Sequence, residues 1–112
     1  MTFGIKTILY PVKDLTQAKK LYGELVGKKP DADSAYYVGY NVEGQHIGLV
    51  PESASPATGA VAYWHVRDIR QSLKLLLESG ATTHQEIKNV GGTRLVGSVK
   101  DPDGNIIGLL QD

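Results

Sequence analysis

One unit is written twice in this chain, and that duplication limits the folds open to it more than any other feature does. Residues 12–18 read Val-Lys-Asp-Leu-Thr-Gln-Ala, and residues 66–72 read Val-Arg-Asp-Ile-Arg-Gln-Ser. Residues 44–50, Gly-Gln-His-Ile-Gly-Leu-Val, return at 104–110 as Gly-Asn-Ile-Ile-Gly-Leu-Leu. Each copy puts a glycine, Gly48 or Gly108, inside an apolar run that otherwise reads as a strand. Such a glycine costs backbone entropy and packs nothing, so two at matching places call for a reason. The chain divides into module one at 1–51, a linker at 52–59 and module two at 60–112, with 112 residues suiting one domain. The linker lies within Pro51-Glu52-Ser53-Ala54-Ser55-Pro56-Ala57-Thr58-Gly59, a run of loop formers.

Each module opens with a strand, near 3–11 and 60–66. A helix follows, announced by Asp14 with Gln17 three residues on, and again by Asp68 with Gln71, the spacing of a capping box. Leu15, Ala18, Tyr22, Leu25 and Val26 recur at helical spacing, as do Ile69, Leu73, Leu76 and Leu77. Gly27 and Gly80 are placed to stop the two helices. Strands are expected near 28–32, 35–42 and 45–50 in module one, and near 82–90, 93–100 and 105–111 in module two. Glu43-Gly44 and Asp101-Pro102-Asp103-Gly104-Asn105 supply the turns. The reading is an α+β chain of two tandem βαβββ modules.

Composition narrows the function. With no cysteine, thiolate metal sites, disulfides and thiol nucleophiles are excluded. Lys+Arg and Asp+Glu both total 12, which argues against a nucleic-acid or acidic-membrane surface. No apolar run approaches the ~20 residues of a membrane helix, and the first residues lack the pattern of a signal peptide, so a cytoplasmic location is expected. Asp101, Asp103 and Asn105 have the spacing of a calcium loop, but Ile106 stands where that loop requires glycine.

The repeated strand–Val-x-Asp–helix opening, with the late Asp-Pro-Asp-Gly-Asn before an apolar strand, resembles the vicinal oxygen chelate superfamily over nearly the whole chain. That group includes glyoxalase I, extradiol dioxygenases, fosfomycin-resistance enzymes, methylmalonyl-CoA epimerases and bleomycin-resistance proteins. The resemblance implies that the mixed sheets of the two modules form a cup-shaped cavity holding the site, and that the chain pairs as a homodimer. In metal-dependent members the ligands stand at four places. Carried over, these are Thr7 and Val61, seven residues before each capping aspartate, Gly108, seven after Asp101, and Gly48 at the matching place in module one. Valine and glycine offer no side-chain donor and threonine is a poor one, so no metal and no cofactor are expected.

If the four positions face inward, alternation brings Leu9 and Pro11 in with Thr7, Tyr63 and His65 with Val61, His46 and Val50 with Gly48, and Ile106 and Leu110 with Gly108. Trp64 and Val66 then face the helix layer. The surface is largely apolar with a few polar groups, the make-up of a small-molecule site. Arg94, after Gly91-Gly92-Thr93, offers a fork of donors to an anionic ligand, and is otherwise a surface charge beside a hairpin turn. His84, within Thr82-Thr83-His84-Gln85-Glu86, reads as a solvated edge. The expected ligand-binding set is Thr7, Leu9, His46, Gly48, Val61, Tyr63, His65, Arg94, Ile106 and Gly108. The expected function is metal-free binding of a small apolar or aromatic ligand. The alternative is a lyase, isomerase or dioxygenase-type enzyme with an irregular metal site or acid–base chemistry from His46, His65 and Tyr63.

Overall fold

A computed structural model describes residues 2–54 and 59–112; Met1 and, within the expected linker, Ser55, Pro56, Ala57 and Thr58 lie outside the described residues. Two compact units are present. One is Thr7–Val61. The other combines the chain up to Lys6 with Ala62–Asp112. Among the described residues no helix is long and apolar enough to cross a membrane.

The first unit holds most of strand β1 (Thr2–Val12), helix α1 (Leu15–Val26), and strands β2 (Ala32–Asp33), β3 (Val38–Val42) and β4 (Gln45–Pro51). Its sheet runs β2-β3-β4-β1, with β4 antiparallel to β3 and parallel to β1. The Asp14 carboxylate accepts from the Gln17 backbone N–H at 3.0 Å, satisfying a donor the helix start would leave open. Gly27 closes α1 in the left-handed region at φ 80°, its N–H donating to Gly23 O at 2.8 Å. Glu43 and Gly44 both have positive φ, the backbone of a tight hairpin turn whose twist matches the strands it joins. One face of the sheet packs Val38, Tyr40 and Leu49 on Ala18 of α1, with Tyr10, Val12, Leu15, Tyr22 and Ile47 around them. Tyr40 is buried because its hydroxyl donates to Lys19 O at 3.0 Å.

The expected strand at 28–32 is reduced to Ala32–Asp33, because side chains take up the polar groups that a ladder would pair. Lys28 Nζ donates to Asn41 O at 2.9 Å and pairs with Asp31, whose carboxylate accepts from Asn41 N–H. That hydrogen bond, with the Lys28 ammonium beside it, holds the Asp31 carboxyl below the usual carboxylate range. The strand expected from 35 starts at Val38, since Ser34 Oγ accepts from the N–H groups of Tyr36 and Tyr37 and makes a turn there.

The second unit holds β5 (all but Val61 of Val61–Val66), α2 (Ile69–Glu78), β6 (Thr82–Gly91), β7 (Arg94–Lys100) and β8 (Ile106–Gln111), in the order β5-β8-β7-β6. Strand β8 is parallel to β5 and antiparallel to β7. Asp68 caps α2 by accepting from Gln71 N–H at 3.1 Å. At the other end Gly80 has φ 112°, with Gly80 N–H donating to Leu77 O and Ala81 N–H to Leu76 O, the double bond of a Schellman stop. Ile69, Val66 and Leu109 form the core of this unit with Leu73, Leu76, Ile87, Leu95 and Ile107. Ile69 is fully buried, worth roughly 1.5–3 kcal/mol. The Gln111 side chain accepts from Ile69 N–H at 2.8 Å, tying the end of β8 to the start of α2.

The Asp-Pro-Asp-Gly-Asn segment is a structural turn. Its Asp101 carboxylate accepts from the Asp103 and Asn105 N–H groups and from Asn105 Nδ2, at 2.8–3.0 Å. These bonds, the Asn105 side chain foremost, lower the Asp101 pKa.

Candidate functional site

In each unit one sheet face packs on the helix, and the predicted residues take the opposite face. In module one, Thr7 pairs with His46, and Leu9 pairs with Gly48, which pairs in turn with Gly39. Thr7 is buried and His46 half-buried. A Cβ on Gly48 would collide with Leu9 Cδ2 and stand 2.9 Å from Cε1 and the hydroxyl of Tyr37. A Cβ on Gly39 would stand 2.7 Å from the same tyrosine ring. Tyr37 therefore lies across two neighbouring glycines.

Module two repeats the device with other residues. Tyr63, at the place of Leu9, pairs with Gly108, which pairs with Ser98. A Cβ on Gly108 would stand 2.6 Å from Tyr63 Cδ1, 2.8 Å from its Cγ and 2.9 Å from Ala62 O. This answers why both strands accept a glycine: in each, a ring rests on the backbone where a side chain would otherwise rise. Burial raises the Tyr63 pKa, so its phenol is a neutral hydrogen-bonding group at physiological pH. Among the described residues the Tyr63 hydroxyl makes no hydrogen bond, and no buried side-chain polar atom lacks a partner, so this hydroxyl reaches solvent.

The next rung pairs His65 with Leu110 and Leu110 with Val96. Arg94 and Asp112, each two residues further on, fall on the same face. Asp112 Oδ1 accepts from Arg94 Nε and from its terminal nitrogen, both at 2.7 Å, while Oδ2 lies 3.9 Å from His65 Nδ1. Two predicted residues, His65 and Arg94, are thus joined by a third that the sequence reading did not name. Thr2 Oγ1 donates to His65 O at 2.9 Å. Val61 is buried, and Ile106, opposite Lys100, is half-buried.

His84 corrects the sequence reading. It is half-buried, and its Nδ1 shares a 3.0 Å hydrogen bond with the buried Ser98 hydroxyl. Register shifts between Thr83 and Gln85 and on to Lys88 break the strict alternation of β6. No spacing in the sequence marks these shifts. Ser98 and Asp112 carried a signal, since alternation from Leu110 and from the Gly108 rung puts both on this face. Tyr37 carried none beyond its nearness to Gly39.

The residues that resemblance aligns with metal ligands do not fit a metal. Of Thr7, Gly48, Val61 and Gly108, only Thr7 carries a donor, and the space a ligand side chain would need at the glycines holds Leu9, Tyr37 and Tyr63. Among the described residues no three His, Asp or Glu side chains converge to hold an ion. A shallow hollow of about 430 Å³ lies away from this face, on α2, lined by Arg70, Leu73, Lys74, Leu77 and Glu78. It is the flank of a single helix and brings no reactive groups together.

The description of the Glyoxalase/Bleomycin resistance protein/Dioxygenase superfamily matches residues 4–109. The chain belongs to this superfamily. Solved structures with the same fold include a superfamily member from Vibrio splendidus 12B01, 19% identical with a TM-score of 0.72, covering 95% of this chain and 97% of that one. A hypothetical protein from Bacillus halodurans C-125 has a TM-score of 0.79 at 11% identity, covering 96% and 93%. Methylmalonyl-CoA epimerase from Mycobacterium tuberculosis has a TM-score of 0.77 at 16% identity, covering 98% and 88%. At these identities the likeness is one of fold. No curated protein matches the chain.

Proposed function

We propose that this chain binds a small apolar or aromatic molecule, without a metal, on the sheet face shared by Tyr63, His65, Ile106 and Gly108. One observation carries the reading: the Tyr63 ring lies on Gly108, where metal-dependent relatives would need a ligand side chain, and among the described residues its hydroxyl has no hydrogen-bond partner. A neutral phenol on an apolar strand face stacks with an aromatic guest and hydrogen-bonds its polar group. In the other unit Thr7, Leu9, His46 and Gly48 form the corresponding face, and Tyr37 fills it. A cytoplasmic location and pairing as a homodimer belong to the same proposal; light scattering tests the pairing.

Titration with 2-naphthol, followed by amide NMR shifts, tests the reading. Shifts centred on Tyr63, Gly108 and Ser98 are expected, with affinity lowered about tenfold in Tyr63→Ala, the loss of one good aromatic contact. Shifts scattered over the surface, or unaffected by that substitution, would count against it.

A second reading is acid–base catalysis, and the Ser98–His84 hydrogen bond favours it, because it holds one imidazole nitrogen and leaves the other for a substrate. Turnover of a small carbonyl compound that disappears in His84→Ala, with the fold intact, is its test.

A further inference from the structure

The cluster at the end of this face has a host and a guest. Arg94 and His65 are sheltered, with side chains 35% and 12% exposed, while the Asp112 carboxylate is 62% exposed. One carboxylate oxygen takes both guanidinium donors and the other turns toward the imidazole. We infer that Arg94 and His65 form a carboxylate-binding site occupied by the chain's own Asp112, and that the natural ligand is an apolar or aromatic carboxylate that displaces it. This rests on the small-molecule reading above and names the chemical class of the molecule.

The guanidinium fork suits a planar two-oxygen anion, and Asp112 meets both donors with a single oxygen, so a ligand carboxylate that gives each donor its own oxygen matches the fork better. Displacing Asp112 costs little, because its carboxylate is largely exposed and solvent offsets much of the ion pair. The apolar part of a ligand anchored at Arg94 has surface on the same face, since Val96 and Tyr63 are both half-buried and sit one and two rungs along from it. Gln111, on the opposite face, accepts from Ile69 N–H of α2, so the strand end that presents Asp112 stays anchored when the Asp112 carboxylate is displaced.

The test compares 2-naphthoate with the neutral, nearly isosteric 2-naphthamide, at fixed ionic strength, in the wild type, Arg94→Gln, Arg94→Lys and Asp112→Asn. In the wild type the carboxylate should bind about tenfold more tightly than the amide, the worth of one charge-assisted hydrogen-bonded pair. Arg94→Gln should abolish that preference and Arg94→Lys should restore part of it. Asp112→Asn should tighten naphthoate about threefold and leave naphthamide unchanged, the range expected on removing a competing exposed carboxylate. Equal binding of the two compounds would overturn the inference while leaving the small-molecule reading in place. Weaker naphthoate binding in Asp112→Asn would also overturn it, by making Asp112 part of the host. Failure of both compounds to bind would sink the inference and the reading together.

Discussion

The two modules place a glycine at the same point of the same strand and use it differently. In module one the ring over Gly48 comes from Tyr37, which also covers Gly39, and Leu9 closes in from β1. That face is packed by flexible side-chain ends. In module two the ring comes from Tyr63 on the adjacent strand, its own rung carries Ser98 with His84, and the rungs beyond carry His65 with Asp112 and Arg94. One copy covers its glycines with a ring from the segment before β3, and the other with a ring from the neighbouring strand.

The largest expected effect separates the two glycines. Gly108→Ala would press a methyl group onto Tyr63 Cγ and the Ala62 carbonyl, neither of which can yield, and should cost about 2–3 kcal/mol as read from denaturant midpoints. In Gly108→Ala/Tyr63→Ala the two costs should fall short of adding, because the clash is shared. Gly48→Ala meets only the far ends of Leu9 and Tyr37, which can rotate, so about 1 kcal/mol or less is expected. Equal costs at the two sites would erase the contrast between the modules.

Smaller effects sharpen the same contrast through pH. Burial raises the Tyr63 pKa above its ordinary value of 10.0. The unfolded chain then ionises first, so this group lowers stability only as pH climbs beyond about 10. Absorbance titration at 295 nm should show, besides the buried Tyr40, a late-ionising phenol that is missing in Tyr63→Phe. Asp101 and Asp31 have the opposite sign. Their pKa values are lowered from 3.8, so what they contribute is present above that value and disappears as pH falls through the folded one. Asp101→Ala should lower the Tm at pH 7 and flatten its dependence on pH below about 4. An unchanged acid limb would mean that the turn is held without the carboxylate.

Much of the fold was legible because its signals are local. Asp14, Asp68, Gly27 and Gly80 bound the helices where capping chemistry puts them. The alternation that sent Val66 to the helix layer and Tyr63 to the opposite face is a property of any strand. What the sequence hid was non-local or irregular. Lys28, Asp31 and Asn41 replace a strand by side-chain bonds reaching across ten or more residues. His84 reaches Ser98 only because β6 slips its register. Arg94 and His65 were each visible as candidates, but their meeting at Asp112 depends on how three strands end together.

The most direct measurement follows the Tyr63 and Gly108 amides by NMR during a 2-naphthol titration, once in EDTA and once after loading with nickel, zinc, manganese or ferrous iron, with metal content per chain determined in parallel. The metal-free reading predicts the same shifts and the same affinity in every sample, and no metal retained after dialysis. About one tightly held metal per chain, or binding that appears only after loading, would contradict it.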